Sequence, residues 1–344
     1  MKRSMLSLIY LINGMRHAGI DVDARLAQIG IHANALNPNA VFHPSIELNI
    51  QDYLGQQVAP ELGLRVGQHY ALAGYGPLLM LLLSAERIED ALIYGVRFQK
   101  LTHLFGTLAL KKRCNKVDQD DLIELSYQPI ELNTPLDQFR AQCEISGTLK
   151  FIQDLYKMMG LIAPKIRVAL PFAAPKDAQL LTQYLDYYGA DVQFSADKAY
   201  FYLAPQLLGI KIPSADPITC RLYTAKCQQE LARLAYSSTA DSLIEQVQDY
   251  LELQQGILPT MDKTAQALHM PERTLRHRLQ QLNTSYKQIR EQLIQRKALD
   301  MIQNKAYPMN EIAERLGYSE SAAFNHAFKR WFGHSPRQYR KLGS

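Results

Sequence analysis

The chain is short of cysteine and nearly without tryptophan, with four Cys and one Trp in 344 residues. Cys114, Cys143, Cys220 and Cys227 make no Cys-x-x-Cys pair, and the Cys220 to Cys227 spacing is not a usual zinc pattern. Free structural thiols in a reducing compartment are therefore expected, with no metal and no cofactor. Long apolar runs are also missing. Leu78–Leu83 is far shorter than the ~20 residues that span a bilayer. The apolar start at Met1–Ile12 runs into Asn13-Gly-Met-Arg-His17 without a small-residue cleavage site, so it reads as an amphipathic helix rather than a signal peptide. A soluble, cytoplasmic chain with no membrane partner is expected. Catalytic signatures are absent too. The chain holds no Gly-x-Ser-x-Gly, no phosphate-binding loop, no His-Glu-x-x-His and no dinucleotide fingerprint. No catalytic residue is assigned, and an enzyme is not expected.

What is present is globular: 47% hydrophobic and 21% charged residues. The length favours two or more domains. Charge is unevenly spread. Residues 261–344 hold 15 Lys and Arg against 7 Asp and Glu, net +8, while the whole chain is +5, which leaves residues 1–260 at −3. Basic charge gathered at one end is the footprint of a phosphate-binding surface.

That basic end carries a repeated pattern. Near the C-terminus Ile312, Ala313 and Leu316 mark one face of a short helix, and Gly317 supplies a turn that suits a left-handed residue. Ser319 stands where an N-cap belongs. A longer helix then buries Phe324, Ala327, Phe328 and Trp331 at helical spacing, and Gly333 ends it. Its opposite face carries Ala322, Asn325, His326 and Lys329. The same plan occurs 48 to 50 residues earlier. There Ala265 and Leu268 match Ala313 and Leu316, and Leu275, Leu279 and Leu282 match Phe324, Phe328 and Trp331. Pro271 suits a first helical position and Asn283 the terminating turn. The outer face of this earlier helix holds Arg273, Arg276, His277 and Gln280. Arg reads both acceptors of a guanine edge, and Gln or Asn reads adenine, so these eight residues are the candidate base-facing set in a DNA major groove. A helix over about Tyr286–Asn304 joins the two units. Arg290, Arg296, Lys297, Arg330, Arg337 and Arg340 are candidates for phosphate contacts.

The stretch from Met261 to Arg340 resembles the DNA-binding domain of AraC/XylS-type bacterial transcription regulators. The residues that carry the likeness are Glu311-Ile-Ala-x-x-Leu-Gly-Tyr-Ser319, Ser321-Ala-Ala-Phe-x-x-Ala-Phe-Lys-Arg-Trp-Phe-Gly-x-Ser-Pro336, Tyr339 and Arg340. The resemblance implies two recognition helices, about Pro271–Gln281 and Ser321–Trp331, in successive major grooves of double-stranded DNA. It also implies RNA polymerase as a partner, activation as the outcome, and a homodimer. His326 stands where many members carry Arg, Asn325 where Ser or Thr is frequent, and His277 where Arg is usual, which implies fewer charged contacts to guanine or phosphate.

Upstream, the patterning predicts helices at 4–16, 21–29, 46–58 and 78–103, strands at Gly106–Lys112 and Leu122–Tyr127, and a helix at Leu136–Met159 opened by Thr134-Pro135. A strand at Lys165–Leu170, a helix near 176–188 and short strands at Val192–Phe194 and Tyr200–Leu203 follow. Residues 218–256 read as further helices, and Leu222–Leu234 reads equally as a dimer helix or as core. Glu61-Leu-Gly-Leu-Arg-Val-Gly67, Gly74-Tyr-Gly76, Leu170-Pro171, Gly189-Ala-Asp-Val-Gln-Phe194 and Tyr200-Phe-Tyr-Leu203 resemble the arabinose-binding-type sensor domain of longer AraC-like regulators. That likeness implies a small-molecule effector, drawn from amino acids, organic acids, lipids or sugars.

The expected architecture is an α+β effector-sensing and dimerisation domain over residues 1–235. An all-α DNA-binding domain over 236–344 follows, with helix-turn-helix units at about 261–283 and 309–333 joined by a long helix. Arg97, His103 and Arg140 sit on predicted helices among apolar neighbours and are candidates to meet an anionic effector in a pocket. Each also reads as a surface or satisfied core residue. The leading expectation is a ligand-controlled transcription activator. The alternative is a DNA-binding regulator without a small-molecule ligand, controlled by abundance or a protein partner.

Overall fold

A computed structural model of the chain describes residues 1–113, 122–235, 243–253, 258–303 and 307–342. In chain order it contains β1 (Arg3–Ser4), α1 (Met5–His17), α2 (Val22–Gln28), β2 (Val41–Phe42), α3 (Pro44–Gly55), α4 (Leu62–Gly67), α5 (Pro77–Ser84) and α6 (Ile88–Arg97). Next come β3 (Thr107–Arg113), β4 (Leu122–Gln128), α7 (Pro135–Met158), β5 (Arg167–Ala169), α8 (Ala178–Tyr188), β6 (Ala199–Leu203) and α9 (Pro217–Ala235). The remainder is helical: α10 (Leu243–Glu252), α11 (Met261–Ala267), α12 (Glu272–Gln281), α13 (Tyr286–Gln303), α14 (Met309–Arg315), α15 (Ser321–Phe332) and α16 (Pro336–Leu342). Asn304, the expected end of α13, lies outside the described residues, as does Cys114.

Two compact units result. A helical unit gathers Met1–Met5, Asp21–Leu54 and Tyr236–Ser344, and a sheet unit gathers Leu6–Ile20 and Gly55–Ala235.

The sheet unit is a four-stranded sheet in the order β3-β4-β6-β5, with every neighbour antiparallel. Ile123, Leu125 and Tyr127 alternate along β4 and are all buried, as strand periodicity requires. The helix α7 starts with a reciprocal cap. The Asp137 N–H donates to Thr134 Oγ1 at 3.1 Å, and the Thr134 N–H donates to Asp137 Oδ2 at 3.0 Å. α4 packs directly along α7. A Cβ on Gly67 would stand 2.0 Å from Ser146 Oγ and 2.2 Å from the Cys143 carbonyl, and one on Gly63 would stand 2.5 Å from the Phe139 carbonyl. The glycines of the Glu61–Gly67 stretch are thus what lets two helix backbones touch.

One expected helix divides. The 78–103 segment ends α5 at Ser84 and restarts as α6 at Ile88. Ser84 Oγ turns back to the Met80 carbonyl at 2.8 Å, and Ala85 is extended. The Ile88 N–H leaves the helix ladder for the Ile210 carbonyl at 3.1 Å. A tertiary partner more than a hundred residues away overrides local helix preference. The expected strand at 192–194 amounts to a single bridge, Ala169 to Gln193. In α9, Cys227 and Leu234 are buried while Ile218 and Leu222 are 70% and 50% exposed. Burial pushes the Cys227 thiol up to about 11 and raises that of Cys143 as well.

In the helical unit, β1 and β2 form a two-residue ribbon pairing Arg3 with Phe42 and Ser4 with Val41. Asp249 on α10 accepts from Lys2 Nζ at 2.6 Å and from the His43 N–H at 3.0 Å, and burial raises its pKa despite both partners. Arg3 and Glu47 pair at 2.5 Å with both side chains largely buried. The Tyr250 hydroxyl donates to the Ile29 carbonyl, Lys263 Nζ to the Gln28 carbonyl at 2.6 Å, and the Tyr53 hydroxyl to the Gln266 carbonyl at 3.0 Å. Residues 1–5 and 21–54, placed with the first 235 residues by sequence, are therefore folded into the unit of the C-terminal helices. Partners some two hundred positions apart leave no local pattern to read.

Candidate nucleic-acid interface and ligand cavity

The basic end holds two pairs of helices, α11 with α12 and α14 with α15. In the first pair Thr260 caps α11, accepting from the Lys263 N–H at 3.4 Å. The chain then turns at His269, whose φ is 52°, where the second pair turns at Gly317 with φ 81°. Leu275 and Leu279 are fully buried beneath α12, as Phe324 and Phe328 are beneath α15. Asn283 (φ 54°) and Gly333 (φ 76°) end the two longer helices.

Three details differ from the sequence reading. Glu320, not Ser319, is the N-cap of α15, and it makes no side-chain cap bond. Pro271 is the N-cap of α12 rather than its first residue. Leu282 is 46% exposed. Its counterpart Trp331 is half-buried, with Nε1–H donating to Glu291 Oε1 at 2.7 Å. Leu282 has already left the helix, so it falls off the buried stripe. Around Phe328 the second pair builds a ring cluster with Phe324 at 5.7 Å, Phe332 at 4.5 Å and Tyr339 at 5.6 Å between centroids.

All eight candidate base-facing residues are exposed: Arg273, Arg276, His277 and Gln280 on α12, and Ala322, Asn325, His326 and Lys329 on α15. Each set shares one helix face because its members recur at intervals of three and four. Arg276 pairs with Glu272 one turn away, a surface ion pair that costs little to exchange for a base or phosphate.

The candidate phosphate residues are more varied. Arg337 is exposed and Arg290 half-buried. Arg296 pairs with Glu252. Arg330 pairs with Glu291 at 2.9 Å, and the hydrogen bond from Trp331 followed by the Arg330 charge holds the Glu291 carboxyl below its ordinary range. Lys297 is half-buried, and burial together with nearby Arg296 pushes its ammonium down to about 8. Arg340 donates to the Ile302 and Tyr307 carbonyls at 3.2 and 3.0 Å, so its guanidinium ties α16 to the end of α13. Exposed Arg278 on α12 and Lys287 on α13 add to the basic surface, and only their position in the fold singles them out.

The sheet unit holds a partly open cavity of about 80 Å³ between α5, α6, α7 and the strand face. Leu78, Leu82, Ile88, Ala91, Leu125 and Ile152 give it an aliphatic wall. His103 lines it, packed among Tyr10, Tyr70 and Tyr75 with ring centroids 5.4, 5.5 and 4.6 Å away. Arg97 and Arg140 do not join it. Arg97 is exposed, with its guanidinium 5.1 Å from the Phe98 ring, and Arg140 pairs with Asp137 at 3.4 Å. Glu144, unmarked by sequence, lines the cavity and accepts the backbone N–H groups of Phe105 and Gly106 at 3.0 and 3.5 Å. Burial, then the Glu144 charge, raises the pKa of Tyr75. Burial alone pushes Tyr156 up to about 12. These residues are spread from 70 to 156, and only the fold assembles them.

Two family models match the chain, one at each end. Residues 264–342 match a helix-turn-helix domain, and residues 19–212 match the arabinose-binding domain found N-terminally in AraC transcription regulators. The chain belongs to the AraC-type transcription regulators that carry this N-terminal domain, and DNA-binding regulation is their work. The HTH-type transcriptional regulator VqsM of Pseudomonas aeruginosa is 27% identical over 279 residues, covering 81% of this chain and 83% of its own. The ornithine utilization regulator of the same organism is 26% identical over 330 residues, covering 92% and 93%. Among solved structures, the transcriptional regulator CdpR from Pseudomonas aeruginosa aligns with a TM-score of 0.42 at 22% identity, covering 93% of this chain and 96% of that one. These relatives are regulators, not enzymes. Among the described residues no helix is long and apolar enough to cross a membrane.

Proposed function

We propose that the chain is a cytoplasmic, non-enzymatic transcription activator whose hold on DNA is set by a small molecule bound in the sheet unit. α11–α12 and α14–α15 are tandem helix-turn-helix motifs joined by α13, and residues 236–344 carry the DNA contacts. The observation that supports this most is the pair of exposed faces. Arg273, Arg276, His277 and Gln280 on one helix, and Asn325, His326 and Lys329 on the other, ride on helices whose opposite sides bury Leu275 and Leu279, and Phe324 and Phe328, completely. Such helices are held rigidly enough to place hydrogen-bonding groups against base edges. The apolar cavity supports the sensing half of the reading. An effector there acts by binding one arrangement of the protein more tightly than another. A homodimer, supported by exposed Ile218 and Leu222 on α9, would then engage RNA polymerase at the promoter.

The test is genome-wide footprinting of the wild-type chain, followed by binding measurements on a recovered site. Sharp sites beside one operon are expected. Arg276→Ala should lose about 1–3 kcal/mol and relax base preference at one position. Arg296→Ala should weaken all sequences alike and lower the salt slope by about 0.9. Diffuse occupancy, or an unchanged base preference in Arg276→Ala, would overturn the assignment.

A further inference from the structure

The cavity of the sheet unit has a composition that selects its ligand, and the argument rests on the reading of this unit as a sensor. At about 80 Å³ it is several times the ~10–15 Å³ that one water requires, so it accommodates a compact organic molecule.

A sugar is a poor occupant. Each buried hydroxyl left without a partner is unfavourable, and a sugar brings several of them against a wall made of Leu78, Leu82, Ile88, Ala91, Leu125 and Ile152. An anion is a poor occupant for a different reason. Neither Lys nor Arg lines the space, the lining His103 is packed among the Tyr10, Tyr70 and Tyr75 rings, and the carboxylate of Glu144 repels negative charge. A cation would find one carboxylate, Glu144, already accepting the Phe105 and Gly106 N–H groups, and otherwise a wall that cannot replace its water.

One hydroxyl stands apart. Tyr156 lines this cavity, and its hydroxyl is buried with no hydrogen-bond partner among the described residues. A buried O–H in that position is unfavourable until an acceptor arrives.

We propose that this cavity binds a neutral, predominantly apolar molecule bearing a single hydroxyl or carbonyl oxygen, and that the Tyr156 O–H donates to that oxygen. The hydrocarbon part of the ligand lies against the aliphatic wall of α5, α6 and α7, and its burial supplies most of the affinity. Gly95 on α6 marks where the space is open, since a Cβ there would meet no atom within 4 Å.

Calorimetric titration of the full chain with benzyl alcohol, toluene, L-arabinose, octanoate and choline tests this. Benzyl alcohol should bind the wild type. Tyr156→Phe should weaken it about 3- to 10-fold and leave toluene unchanged, because only the alcohol uses the hydroxyl. Gly95→Phe should abolish both while leaving DNA affinity intact. Ala91→Leu is a second filling variant, should Gly95→Phe not fold. Benzyl alcohol binding that survives both fillings overturns the site. Equal losses for toluene and benzyl alcohol in Tyr156→Phe overturn the hydroxyl's role. Binding of L-arabinose, octanoate or choline in place of benzyl alcohol overturns the ligand class. DNA affinity, followed in the same samples, separates the two levels. If benzyl alcohol binds as expected without shifting DNA affinity, the site stands and the sensor reading falls. If L-arabinose or octanoate shifts DNA affinity and benzyl alcohol does not, the sensor reading stands and the ligand class falls.

Discussion

The first helix pair makes its turn with His269 at φ 52° and the second with Gly317 at φ 81°. The first packs its longer helix on Leu275 and Leu279, the second on Phe324 and Phe328. Outwardly the first presents two arginines, a histidine and a glutamine, the second an alanine, an asparagine, a histidine and a lysine. One backbone path is thus supported by two sets of chemistry. Aliphatic packing and a strained turn residue serve in the first, and a ring cluster with an unstrained glycine serves in the second. What the two share is geometry: a left-handed turn, two buried side chains four apart, and a left-handed exit.

The comparison can be broken most forcefully at the cores. Phe328→Ala should cost about 3–5 kcal/mol and Leu279→Ala about 2–5, with the larger loss in the ring cluster because more neighbours lose contact. Urea unfolding followed through the fluorescence of Trp331, the single tryptophan, reports the second pair directly. Equal midpoints for the two variants would mean that the ring cluster adds nothing beyond apolar volume.

The turns give a smaller and more pointed contrast. Gly317→Ala should destabilise by about 1–2 kcal/mol, the cost of a side chain in the left-handed region. His269→Gly should change stability by less than about 1 kcal/mol, since relief of strain is offset by a more flexible unfolded chain. His269 also lies 3.7 Å from Asp52 and 5.6 Å from the Tyr53 ring. A loss well above 1 kcal/mol in thermal unfolding would show that these contacts, not the turn, fix His269. Smallest of all, Glu320→Ser should gain about 0.5–1 kcal/mol by giving α15 the side-chain cap it lacks. Failure to gain would mean that the α15 start is already satisfied by other means.

Legibility in the sequence follows the range of the interactions. The two helix pairs were readable because each depends on neighbours within about 20 residues: the spacing of Phe324 and Phe328, the glycines at 317 and 333, the repeat at 48 to 50 positions. His269 was missed as a turn residue because nothing in its type announces φ 52°. β3 and β4 were readable from alternation, and the start of α7 from Thr134-Pro135. The break between α5 and α6 was hidden because its cause is the Ile210 carbonyl. Of the three effector candidates only His103 lines the cavity. Charge suggested Arg97 and Arg140, whereas the space is walled by carbon and holds one unpartnered hydroxyl among the described residues, on a tyrosine no motif marks.

The hydrogen bonds from Tyr250 to Ile29 and from Lys263 to Gln28 have a consequence in time. Asp21–Leu54 is made early in synthesis, yet its partners Tyr250 and Lys263 come some two hundred residues later. At about 5–20 residues per second, the ribosome needs roughly 10–40 s to cover the interval. Through that period these hydrogen bonds cannot form, and the helical unit is complete only once the last third of the chain has emerged.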